Sequence, residues 1–212
     1  METKNLTIMF IDLAGYTIRT SRIPRDKFLE LLDTYERLVE PLFSEFDGKI
    51  VKKIGDAFMA GFESPTNAVL CGIKIQDTLF KYNKHVRKRD KIRVRIAINT
   101  GEVHVRNGDI YGEAVNIASR LERIARINDI YFTESVYLSM NKAEIPSMFV
   151  GKATLKGIPR KIKVFKVLGE YSKILLTRKQ HAKRRKRTTL ILSIVFILLL
   201  LLVALYFYQA SI

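Results

Sequence analysis

Apolar positions along this chain follow two rhythms, one of period two and one near 3.6, and give way at the end to an unbroken apolar run. Leu6 to Leu13 is a short, branched-rich apolar stretch bounded by Gly15 and reads as a buried strand. Pro24 opens a helix in which Phe28, Leu31, Leu32, Tyr35, Leu38 and Val39 recur at helical spacing to about Phe46. Pro41 lies inside that pattern and predicts a kink or break near Glu40. Lys49 to Ile54 and Ala57 to Phe62 read as two strands joined by Gly55-Asp56, a tight hairpin that puts Asp56 at its tip.

Ser64 as N-cap and Pro65 at the first helical position begin a second helix carrying Ala68, Val69, Gly72, Ile73, Leu79 and Phe80. Ile92 to Thr100 alternates as a strand that Gly101 is expected to break before Val103 to Val105. A third helix follows Gly112, and further strands are expected at Ile130 to Thr133 and Lys161 to Leu168. This order predicts an α+β fold, a sheet with helices on one face.

The closing run changes the picture. Leu190 to Tyr208 holds no charge and one clearly polar residue, Ser193. As a helix it would span about 28 Å, close to a hydrocarbon core, and it is expected to be a transmembrane helix. The formal net charge is +16, and half of it comes from eight Lys and Arg, with no acid, in the last forty residues. They are Lys173, Arg178, Lys179, Lys183, Arg184, Arg185, Lys186 and Arg187. Basic residues ahead of an apolar span predict that the N-terminal domain faces the cytoplasm and that the linker touches anionic lipid. A nuclear address or nucleic-acid tail is the less economical reading of the same run.

Met1 to Asn5 lacks the basic and apolar regions of a leader peptide, and the single cysteine, Cys71, excludes an intrachain disulfide and is expected to be buried and inert. The expected division is therefore a catalytic domain over 1–171, a basic linker over 172–189, a membrane helix over 190–208 and a short tail over 209–212.

Candidate chemistry lies in the first two-thirds of the chain. Asp12 in Phe10-Ile11-Asp12-Leu13-Ala14-Gly15-Tyr16-Thr17 closes the first strand, and Asp56 tips the hairpin. Two carboxylates on neighbouring strands suit hard divalent cations. Ala14 to Thr17 forms a small-residue loop whose amides could cradle phosphate oxygens. Lys52 and Asp109 offer a donor and an acceptor complementary to the ring nitrogen and exocyclic amine of adenine, a pattern that guanine reverses. Asn116 and Arg120, four apart on one helical face, suit a ribose and an α-phosphate. Together the set reads as a nucleotide-processing site.

In this order the fragments resemble the catalytic domain of class III nucleotidyl cyclases of the adenylate cyclase type, over roughly residues 5 to 168. The resemblance implies a ferredoxin-like core and conversion of ATP to 3′,5′-cyclic AMP and pyrophosphate. It implies two divalent cations, Mg²⁺ or Mn²⁺, held by Asp12, Asp56 and the backbone carbonyl of Leu13. It further implies that Gly15, Tyr16, Thr17 and Lys156 meet the triphosphate, that Lys52 and Asp109 select adenine, and that Asn116 and Arg120 are catalytic. Because family sites straddle two chains, it also implies a homodimer. Asp47-Gly48 departs from the paired glycines that the family often carries before the hairpin.

Three other readings stand beside this one. A guanylate cyclase is disfavoured by Lys52, where that branch places a glutamate. A catalytically silent nucleotide-binding membrane module is opposed by the presence of Asp12, Asp56 and Arg120. A ferredoxin-like RNA binder lacks the exposed aromatic pattern of RNA-recognition sheets, so no nucleic-acid partner is expected.

Overall fold

A computed structural model describes residues 2–15 and 24–169. Tyr16, Thr17, the basic linker and the apolar run over 190–208 lie outside the described residues. Among the described residues no helix is long and apolar enough to cross a membrane.

The centre of the sheet is β1 (Glu2–Leu13), antiparallel on one side to β3 (Ala57–Phe62) and on the other to β4 (Val94–Arg106). β2 (Lys49–Ile54) pairs with β3 as the expected hairpin. Beyond β4 come β6 (Ile130–Thr133), parallel to it, then β8 (Ile162–Val167) and the edge strand β7 (Ser147–Ala153). The three-residue β5 (Asp109–Tyr111) folds back on the end of β4. The order β2-β3-β1-β4, with α1 (Arg25–Glu45) and α2 (Pro65–Asn83) as its crossovers, is the expected ferredoxin-like arrangement.

Helices cover both faces, not one. Tyr35 and Phe43 of α1 each pack 5.6 Å from the ring of Phe58, and at Gly72 of α2 an added Cβ would sit 3.5 Å from Ile96 and Ile130. On the opposite face α3 (Glu113–Ile124) seats Ala114 and Ala118 against Ile8, Phe10, Met59 and Val103. The reason is visible in β1, where Ile8, Met9, Phe10 and Ile11 are all buried, so neither face of the central strand can be left to water.

Two expected interruptions are absent. α1 runs without a break through Pro41, whose ring is exposed while Val39, Leu42 and Phe43 on the buried stripe hold the helix on both sides of it. Their burial offsets the lost backbone hydrogen bond, a cost of about 3 kcal/mol. β4 likewise runs through Gly101, where a Cβ would sit 3.1 Å from that of Ala114. This glycine therefore marks the close approach of α3 to the sheet and not the end of a strand.

Local signals did position α2: the Ser64 hydroxyl accepts the Asn67 amide at 3.2 Å, with Pro65 in the first turn. Cys71 on that helix is buried, and burial pushes its thiol pKa far above the usual range. A polar knot fastens the middle of the fold. Asn99 Nδ2 donates to the Ala114 carbonyl at 2.9 Å, and its Oδ1 accepts from Thr133 Oγ1 at 2.7 Å, joining β4, β6 and the start of α3.

Candidate active site

Asp12 lies near the end of β1, one residue beyond the last pairing with β3 at Ile11↔Phe58 and still paired with β4, and Asp56 sits in the hairpin turn, next to Gly55 with φ +64°. Their side chains lie within hydrogen-bonding reach of one another. The Leu13 and Asp56 amides favour the charged Asp56 carboxylate, yet one of its oxygens, Oδ2, is buried with no hydrogen-bond partner. Burial first, and the negative charge of Asp12 second, raise the Asp56 pKa to about 6. Burial also raises that of Asp12, against the pull of Arg95. Two half-buried carboxylates side by side, one with an orphaned oxygen, are a donor set that fits a divalent cation.

Three further groups close around this pair, and sequence reasoning missed all three. Arg95 stands opposite Asp12 in the β1/β4 register, with Nη1 3.7 Å from Asp12 Oδ2 and 3.5 Å from Glu122 Oε1. Glu122 lies near the end of α3 and, like Asp12, has its pKa raised by burial. Beneath them the fully buried Tyr35 keeps a hydroxyl without a hydrogen-bond partner; burial and the charges of Asp56 and Asp12 hold it well above its ordinary pKa. Only the alternation of β4, which puts Arg95 on the same face as Ala97 and hence toward α3, could have pointed to Arg95.

Lys52 and Asp109 do meet. Lys52 Nζ donates to Asp109 Oδ2 at 2.6 Å, and that bond holds the Asp109 carboxyl below the usual carboxylate range. The ammonium also lies 5.7 Å from the centre of the Tyr111 ring. β5, which no sequence signal announced, delivers Asp109 to this position.

On α3, Asn116 is exposed and Arg120 half-buried. The Arg120 guanidinium lies over Gly157, where an added Cβ would come within 3.4 Å of both terminal nitrogens. The turn is closed by the Ile158 amide bonding the Leu155 carbonyl at 3.0 Å, and Leu155, Ile158 and Ile162 pack against Ile117 of α3. Lys156 is exposed in this turn, next in the chain to Gly157. Gly15, with φ +80°, turns the chain out of β1 directly after Ala14 bonds the Arg93 carbonyl at 2.8 Å.

The one chain thus does not gather its candidates at a single point. Residues two apart on a helix project about 200° from each other, so Glu122 reaches toward Asp12 while Arg120 reaches the turn at Gly157. The carboxylate pair and the arginine face different sides of α3.

Residues 1–169 match the family described as the adenylate and guanylate cyclase catalytic domain. A crystal structure of an adenylate/guanylate cyclase/hydrolase from Silicibacter pomeroyi is 30% identical, covers 79% of this chain and 98% of its own, and superposes with a TM-score of 0.72. An adenylate cyclase from Streptomyces coelicolor is 31% identical over 125 residues, 59% of this chain and 31% of that protein. The serine/threonine-protein kinase pkn2 of Myxococcus xanthus is 36% identical over 166 residues, 78% of this chain but 20% of its own length. The chain spans less than a third of these two relatives, so their names describe proteins with much additional sequence.

Proposed function

The chain belongs to the family of adenylate and guanylate cyclase catalytic domains, and on that premise we propose that it is an adenylate cyclase acting as a homodimer. The observation that carries the substrate choice is the Lys52–Asp109 pair at 2.6 Å. Each partner fixes the other, which presents an N–H donor and a carboxylate acceptor side by side, the complement of the adenine edge. The observation that favours a dimer is the division across α3: the metal-binding carboxylates and Arg120 of one chain face different sides of that helix, so a complete site needs the carboxylates of one protomer and the Lys52, Asp109, Asn116 and Arg120 of the other.

Residues of the chain then take these roles. Asp12, Asp56 and the Leu13 carbonyl would hold two divalent cations, which when bound activate the ribose 3′ oxygen and neutralise the triphosphate. The ribose 3′ hydroxyl gives its proton to solvent water, its oxygen bonds the α-phosphorus, and the bond from that phosphorus to the bridging oxygen breaks to release pyrophosphate. Asn116 orients the ribose, and Arg120, always charged, meets the charge growing on the α-phosphate. Lys156, with Gly15, Tyr16 and Thr17, receives the remaining phosphates. The run Leu190 to Tyr208 would anchor the chain as a single-pass span with its catalytic domain cytoplasmic, supported by the eight basic residues before it.

The deciding assay gives the full chain ATP or GTP with Mg²⁺ or Mn²⁺ and resolves the nucleotide products. Cyclic AMP from ATP in excess over cyclic GMP from GTP is the expected result. A preference for GTP sinks the substrate choice, and no cyclic product from either sinks the activity.

A further inference from the structure

We propose that Arg95 and Glu122 form a charge switch under the carboxylate pair: Arg95 is shared between Asp12 and Glu122 until a divalent cation takes Asp12, and then passes to Glu122 alone. The inference rests on the reading of Asp12 and Asp56 as cation ligands. Its basis is the placement of one guanidinium between two acids that belong to different elements. Arg95 Nη1 is 3.7 Å from Asp12 Oδ2 and 3.5 Å from Glu122 Oε1, longer than a short ion-pair hydrogen bond on either side. Glu122 Oε1 is buried and its contact with Arg95 is an ion pair with no hydrogen bond formed, so the guanidinium can close on it further.

Without Glu122, a cation arriving at Asp12 would oppose a half-buried positive charge that has no other partner. With it, Arg95 moves a short distance and keeps its charge balanced. The balance can be counted. With all three carboxylates ionised, Asp12, Asp56 and Glu122 against Arg95 leave two negative charges for the cation; losing Glu122 leaves one, and losing Arg95 leaves three. Glu122 is thus a positioning residue, and Arg95 a brake on cation binding.

Opposite effects of two single substitutions, cancelling in the double, are therefore expected. The full chain without nucleotide is titrated with Mn²⁺ alone, and free ion is read by electron paramagnetic resonance. Glu122→Gln, which keeps size and shape, should raise the Mn²⁺ Kd about tenfold, Arg95→Gln should lower it by a similar factor, and the double variant should return near the parent value. Should Arg95→Gln fail to fold, Glu122→Gln and Glu122→Asp decide alone, the latter expected to restore binding. Unchanged Mn²⁺ affinity in Glu122→Gln, with binding lost in Asp12→Ala, overturns the switch and leaves the ligand reading intact. Mn²⁺ binding that survives Asp12→Ala overturns both.

Discussion

The two halves of the site are built on opposite electrostatic terms. Around Asp12 and Asp56, like charges are crowded into a half-buried corner, with an orphaned oxygen on Asp56 and another on Glu122. Around Lys52 and Asp109, opposite charges meet at 2.6 Å on a more open surface. The first corner lowers the stability of the protein that carries it, and under the proposed assignment a cation would relieve it, whereas the second pairs its charges within the chain. The proposed metal site is therefore marked by what it lacks, and the proposed base-reading pair by what it already holds in place.

If Asp12 and Asp56 hold the cations as proposed, removing either strikes the reaction at its centre, so Asp12→Ala and Asp56→Ala should each reduce cyclic product by several orders of magnitude. Full activity in either variant would remove the metal assignment. Joining the halves across two chains gives the next largest effect. Asp56→Ala and Arg120→Ala homodimers should be nearly inactive, while mixing them with free chain exchange leaves one intact site in about half the dimers and recovers roughly a quarter of parental activity. No recovery in mixed dimers that are shown to form would put both residues at work within one chain.

A smaller change is expected from the paired half. Lys52→Glu with Asp109→Cys should move the ATP/GTP preference toward GTP by about tenfold or more, since each mismatched polar group costs about 1–3 kcal/mol. An unmoved ratio would show that the pair does not read the base. Gly157→Ala, at φ +70° with Arg120 nitrogens 3.4 Å away, should cost about 1 kcal/mol of stability and a few-fold in kcat, with Mn²⁺ affinity unaffected. A parental kcat would mean that the turn does not position Arg120.

The smallest effect concerns pH and sharpens the contrast most. Burial and Asp12 raise the Asp56 pKa from 3.8 to about 6, so the folded protein binds that proton more tightly than the unfolded chain. The contribution of this group to stability is most favourable below about pH 4, falls as pH rises to about 6, and stays unfavourable above that. In chelator-treated protein at pH 7, Asp56→Asn should therefore raise Tm slightly, and the gain should disappear near pH 4. A Tm that falls at pH 7 would show that the carboxylate is already satisfied without metal.

Much of the candidate site could be read along the chain because its signals are local. The Gly55-Asp56 turn, the Ser64-Pro65 helix start and the four-residue spacing of Asn116 and Arg120 all act within a few positions, where backbone geometry decides the outcome. Pro41 and Gly101 misled for the complementary reason. Their intrinsic preferences are local, but buried neighbours in α1 and the approach of Ala114 override them.

From sequence alone came the cyclase order of motifs, the hairpin and the residue types able to bind metal, base and phosphate, because each depends on near neighbours and on side-chain chemistry. Tertiary structure alone decided that helices cover both faces and that β5 carries Asp109 to Lys52. It alone placed Arg95 and Glu122 beside Asp12 and turned Arg120 toward Gly157. Those contacts join residues tens of positions apart, and strand register together with helix rotation sets their distances, which no local spacing encodes.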